Sequence, residues 1–139
     1  MKKNGKKIVI GVIGSDCHAV GNKIIQHVLE ISGFEVINVG VLSPQSDFID
    51  AASKNMADAI IVSSIYEQNE ENYKGMRKKC DEENLKDILL YIGGNIAKKD
   101  ENWKKIEKKF LNMGFNRAYK PGTPIEETIE DLKKDLNIL

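Results

Sequence analysis

Short runs of aliphatic and β-branched residues alternate along the chain with stretches whose apolar positions recur every three or four residues. Lys7-Ile8-Val9-Ile10-Gly11-Val12-Ile13 is a continuous apolar run of strand length, as expected of a strand buried on both faces. Gly14 to Gly21 reads as a loop. Asn22 to Ser32 places Ile24, Ile25, Val28 and Leu29 on one helical face, and Gly33 stops the helix. Glu35 to Gly40 forms a second strand. Ser43-Pro44 predicts a helix start, because Ser accepts a hydrogen bond from a free N–H and Pro suits the first turn. That helix carries Phe48, Ile49 and Ala52. Ala59 to Ser63 is a third strand, followed by a polar loop and a charged helix up to about Glu83. Ile88 to Ile92 is a fourth strand ending at Gly93-Gly94. The next helix, roughly Glu101 to Met113, spaces Trp103, Ile106 and Phe110 helically. Arg117-Ala118-Tyr119 allows a short fifth strand. Thr123-Pro124-Ile125-Glu126 has the form of a capping box, and Ile125, Ile129, Leu132 and Leu136 share one face of the last helix.

Five β–α units in succession predict a single α/β domain over residues 1–139. The expected architecture is a doubly wound, five-stranded parallel sheet of flavodoxin-like order 2-1-3-4-5, with right-handed crossovers. In such sheets ligands bind outside the carboxyl ends of the strands, near the switch point. The loops after strands one, three, four and five are therefore the ones to search.

Composition removes some alternatives. Lys plus Arg number 21 and so do Asp plus Glu, so net charge gives no electrostatic reason to expect nucleic acid or an anionic membrane as partner. The longest apolar stretch, Ile8 to Ile13, is far too short to span a bilayer. No signal peptide is visible, and a cytoplasmic location is expected. Cys17 and Cys80 are not in a CxxC arrangement and read as two reduced thiols.

The loop after the first strand reads Ser15-Asp16-Cys17-His18-Ala19-Val20-Gly21, and holds one of only two histidines. A metal-binding imidazole commonly gives its other ring N–H to a carboxylate, and Asp16 suits that role. Taken alone, Asp-x-His equally fits a polar loop with Asp16 as a cap and His18 exposed. The other histidine, His27, falls on the first helix and reads as a surface residue.

The wider set of motifs is more specific. Asp16-Cys17-His18-Ala19-Val20-Gly21 fits the DxHxxG signature of cobalamin-binding domains, and Ser63-Ser64-Ile65 resembles their SxL element. Gly93-Gly94 and then Pro121-Gly122-Thr123 follow in order, each at the carboxyl end of an expected strand. Gly11 to Lys23, Asn38-Val39-Gly40-Val41-Leu42-Ser43 and Gly93-Gly94-Asn95-Ile96 look like the small (sigma) subunits of glutamate mutases, and the likeness covers nearly the whole chain.

That resemblance implies adenosylcobalamin as cofactor, with its dimethylbenzimidazole base displaced from cobalt and its nucleotide tail in a slot of the domain. It implies His18 as the cobalt ligand and Asp16 as its orienter. It also implies cofactor contacts from Ser15, Asp16, Cys17, His18 and Ala19, from Ser63, Ser64 and Ile65, and from Gly93 and Gly94. Asn95, Ile96, Ala97, Lys98 and Lys99 belong to the same expected contact set, as do Gly122 and Thr123. Thr123, at a helix start, is expected to offer free backbone donors to the tail. The implied reaction is the radical rearrangement of L-glutamate to 3-methylaspartate. Its implied partner is a large (epsilon) subunit that holds the substrate, in a hetero-oligomer of two small and two large chains.

The sequence departs from the family pattern at three places. Tyr66-Glu67-Gln68-Asn69-Glu70 stands where a Gly-containing Tyr-Gly-x-Gly-Glu loop is usual, Ile65 replaces the Leu of SxL, and Lys99 replaces a Gly. These positions bear on the cofactor rim and the contact with the partner. Competing readings are a corrinoid carrier for methyl transfer, another cobalamin-dependent mutase subunit, and a flavodoxin-like signalling module. A methyl carrier usually adds a helical domain ahead of its cobalamin domain. A receiver domain wants an Asp at the end of the third strand, where this chain has Ser63-Ser64.

Overall fold

The structure is a computed structural model that describes residues 3–13, 19–65, 72–96 and 102–138. Five strands, β1 (Lys7–Val12), β2 (Glu35–Asn38), β3 (Ala59–Ile65), β4 (Leu89–Asn95) and β5 (Arg117–Ala118), form one sheet in the order β2-β1-β3-β4-β5. Every pairing is parallel. The intervening helices are α1 (Ala19–Ile31), α2 (Gln45–Asn55), α3 (Met76–Glu82), α4 (Trp103–Asn112) and α5 (Ile125–Asp135).

The period-two alternation of the strands divides the apolar residues between two cores. Val9, Ile60, Val62, Leu90 and Ile92 pack against Phe48, Ile49 and Ala52 of α2, Met76 and Cys80 of α3, and Phe110 of α4. Ile8, Ile10, Ile61 and Tyr91 face the other way, onto Leu29 of α1 and Ile129 and Leu132 of α5. Both faces of the sheet are covered, which is why β1, β3 and β4 read as unbroken apolar runs. Each fully buried aliphatic side chain contributes roughly 1.5–3 kcal/mol. Cys80 is buried, and burial pushes its thiol up to about 11, in keeping with an unreactive reduced cysteine.

Several boundaries differ from the sequence reading. α1 begins at Ala19, so Gly21 lies inside the helix and not in a loop. Ile24, assigned to the inner face of α1, is 55% exposed. β4 does not stop at the glycine pair: Ser63, Ser64 and Ile65 pair with Gly93, Gly94 and Asn95. Neither expected side-chain cap forms. Pro44 and Pro124 occupy the N-cap positions of α2 and α5. Ser43 Oγ donates instead to the carbonyls of Val39 and Val41, at 3.1 and 3.3 Å. Thr123 Oγ1 donates to the Lys120 carbonyl at 2.6 Å. Asn102 is the residue that caps α4, accepting from Lys104 N at 3.1 Å.

Candidate functional site

At the carboxyl edge of the sheet, β3, β4 and the turn after β5 enclose a cleft of about 230 Å³. Ser63, Gly93 and Gly94 form its base, Ile25 of α1 closes one side, and Tyr119, Ile125 and Thr128 close the other. Lys120, Gly122 and Thr123 stand at the same cleft. Sites that engulf a whole drug-sized ligand run to roughly 300–1,000 Å³, so a cleft this size takes one end of a larger molecule.

Strand alternation separates the two serines. Ser63 opens onto the cleft. Ser64 is buried, and its Oγ lies 3.5 Å from the Tyr73 hydroxyl in the opposite core, so at this residue the backbone is what faces the edge. The two glycines serve different needs. Gly94 has φ +100°, and a Cβ there would come within 2.4 Å of the Ser64 carbonyl oxygen, so only glycine fits. A Cβ at Gly93 would meet Tyr119 Cβ at an ordinary 3.5 Å. Gly93 is therefore compatible with a side chain sterically, and its lack of one keeps the cleft open.

The wall beyond β5 is held by charge-assisted bonds. Tyr119 donates its hydroxyl to Asp131 Oδ2 at 2.7 Å. Arg117 forms a two-pronged pair with Asp135, at 2.8 and 2.9 Å, and lies 3.5 Å from Asp131. Tyr91 donates its hydroxyl to Asp135 and packs edge-to-face on Tyr119, with ring centroids 5.7 Å apart. Arg117 holds the Asp135 carboxyl below the usual carboxylate range. Burial first, and then the neighbouring carboxylates, push both tyrosine hydroxyls well above theirs.

Helix α1, which contributes Ile25 to the cleft, is joined to the end of β2 by neutral amides. Asn22 Nδ2 donates to Asn38 Oδ1 at 2.7 Å, Gly40 N donates to the same oxygen at 2.8 Å, and Asn38 Nδ2 donates to Gln26 Oε1 at 2.9 Å. Asn22 is buried, and its own Oδ1 has no hydrogen-bond partner among the described residues.

Of the residues singled out from sequence, Ser63, Gly93, Gly94, Gly122 and Thr123 meet at this cleft. Ile65 and Asn95 end paired strands beside it. Ala19 opens α1. Ile96 sends its side chain into the core below α4, which leaves only its backbone for a ligand. Thr123 N donates to the Lys120 carbonyl at 3.1 Å, so it is not the free donor expected. Ser15, Asp16, Cys17 and His18, together with Ala97, Lys98 and Lys99, lie outside the described residues, as do Tyr66, Glu67 and Asn69. His27 is exposed, as expected. Sequence reasoning missed Ile25, Tyr119, Ile125 and Thr128. Only Tyr119, next to the fifth strand, carried a signal that could have found it.

Both arginines of the chain are committed to structure. Arg77 donates to the Gly114 and Ile88 carbonyls and to Asn116 Oδ1, at 3.1, 2.7 and 2.7 Å. Arg117 is engaged as above, so neither is available to clamp a small dicarboxylate.

The B12 binding domain family matches residues 6–112. The glutamate mutase sigma subunit of Fusobacterium nucleatum is 67% identical over 96% of this chain and 98% of its own length. That of Clostridium tetani is 60% identical over 96% and 97%. Among solved structures, a cobalamin-binding protein from Desulfitobacterium hafniense superposes with a TM-score of 0.74 at 19% identity, over 94% of this chain and 59% of that one, a likeness of fold. The sequence motifs, the carboxyl-edge cleft and these full-length identities agree: the chain belongs to the glutamate mutase sigma subunits, built on a B12 binding domain.

Proposed function

We propose that this chain is the cobalamin-carrying subunit of a glutamate mutase, and that the nucleotide tail of adenosylcobalamin enters the cleft between β3, β4 and the turn after β5. The observation that carries this reading is the cleft itself, kept open by Gly93 and walled by Tyr119 and Ile25. When bound, the cofactor supplies a weak cobalt–carbon bond whose homolysis starts the rearrangement of L-glutamate to 3-methylaspartate.

The chain's own residues bind and orient. His18 would offer its imidazole to cobalt, and Asp16 would accept the other ring N–H, which would fix the ring and raise its basicity. Ser63 offers a hydroxyl at the cleft base, and Lys120 offers positive charge to the phosphodiester of the tail. The backbones of 63–65 and 93–96 lie at the carboxyl edge, which would support the corrin.

Substrate recognition belongs elsewhere. Two carboxylates call for convergent arginines, and both arginines here are spent on holding the fold. A large (epsilon) subunit therefore holds glutamate, with cobalamin between the chains in an assembly of two small and two large subunits. Among the described residues no helix is long and apolar enough to cross a membrane, and a cytoplasmic enzyme is the reading we favour. The test is reconstitution of the purified chain with a glutamate mutase large subunit and adenosylcobalamin. Methylaspartate should form only with all components. Turnover by the small chain alone, or none by the complete mixture, would overturn the reading.

A further inference from the structure

We infer that Asp131, acting through the Tyr119 hydroxyl, is a positioning residue that lets the cleft distinguish a corrinoid with a nucleotide tail from one without. The inference rests on the proposed function, since it requires that the tail enters this cleft.

Among the described residues Tyr119 is the one aromatic side chain on the cleft wall, and two constraints fix it. Its hydroxyl is bonded to Asp131 at 2.7 Å, and its ring packs edge-to-face on Tyr91. Asp131 lies on α5, away from the cleft lining, and is itself placed by Arg117. The two-residue strand β5 gives this wall few backbone hydrogen bonds, so side-chain bonds to α5 do the fixing. A ring held in one place is a preformed surface for a flat heterocycle, and preformed contacts raise affinity by removing the ordering cost. A corrinoid without the tail never reaches the ring.

The experiment measures the affinity of the full chain for cobalamin and for cobinamide, which lacks the nucleotide tail. The proteins are wild type, Tyr119→Phe, Asp131→Ala and Asp131→Asn, each with its thermal midpoint recorded. Wild type should prefer cobalamin. Tyr119→Phe and Asp131→Ala should lose about tenfold in cobalamin affinity while cobinamide affinity changes by less than about twofold, and Asp131→Asn, which keeps an acceptor for the hydroxyl, should retain most of the preference. Equal losses for both corrinoids, or no loss for either, would overturn the inference. So would an Asp131→Asn variant as weak as Asp131→Ala. If wild type binds cobalamin no more tightly than cobinamide, tail entry fails and the inference with it. If wild type binds neither, the cobalamin-carrying function itself fails.

Discussion

The two walls of the cleft are built from different chemistry. On the α5 side, two carboxylates, two tyrosine hydroxyls and a guanidinium form a connected network. On the α1 side, neutral amides join the helix to the end of β2, and one buried amide oxygen meets no donor among the described residues. Hydrogen bonds to charged groups are worth roughly twice neutral ones, and an unsatisfied buried acceptor costs roughly 1–3 kcal/mol. The α5 wall is thus held by the stronger bonds, whereas the α1 wall, whose helix follows directly on the segment bearing His18, is held by neutral ones. One side of the cleft is therefore fixed more firmly than the other.

The largest expected effect lies at His18. His18→Ala should remove the protein nitrogen from cobalt, read as loss of histidine coupling in electron paramagnetic resonance of bound Co(II) cobalamin with labelled histidine. Unchanged coupling would move the ligand elsewhere and break the comparison at its weaker wall.

Gly94→Ala should cost roughly 1–3 kcal/mol or more, because the added Cβ meets backbone at 2.4 Å at a positive φ. Thermal unfolding would show it as a fall of several degrees. Gly93→Ala should leave the midpoint near wild type and weaken cobalamin binding instead. Similar midpoints for the two variants would show that the glycine pair has a single role.

Asp16→Asn should keep the fold and lose roughly 10- to 100-fold in cofactor affinity. Wild-type affinity in that variant would make Asp16 a loop cap only. Amide hydrogen exchange sharpens the contrast directly. The first turns of α1 should gain protection when cobalamin is added, while α5 changes little. Equal gains in the two helices would erase the difference between the walls.

The smallest expected effect is in the pH dependence of stability. Asp135 has a depressed folded pKa, so its contribution is present above the unfolded value of about 4 and is lost as pH falls through the folded value. Asp135→Asn should be less stable than wild type at pH 7, and the gap should close below about pH 4. The tyrosines run the other way. Their raised values give stability that is complete below about pH 10 and lost above it. A gap between wild type and Asp135→Asn that ignores acid would show that the carboxylate contributes no charge-dependent stability.

The strands, the order of the sheet and the edge that carries the cleft were legible in the sequence because burial on both faces leaves a local mark: unbroken apolar runs separated by helices of period 3.6. The DxHxxG, SxL and GG motifs were equally legible, since each places its chemistry within a few residues. Where β4 ends was not, because glycine's local preference for a turn is overridden by pairing with β3. The caps at Ser43 and Thr123 failed for a related reason. Each hydroxyl found a nearby carbonyl that becomes available only once the turn is folded.

The sequence alone determined the fold class and the cofactor, because the fold class follows from pattern and the ligand from motifs read in order. Only the tertiary structure decided how the cleft is walled. Tyr119 and Asp131 are 12 residues apart and Tyr91 and Asp135 are 44 apart. Such pairs leave no periodicity, since a hydrogen bond between distant side chains depends on where β4, β5 and α5 come to rest. The same packing placed Ser63 on the cleft and Ser64 in the opposite core, a choice made by the register of β3 against its neighbours.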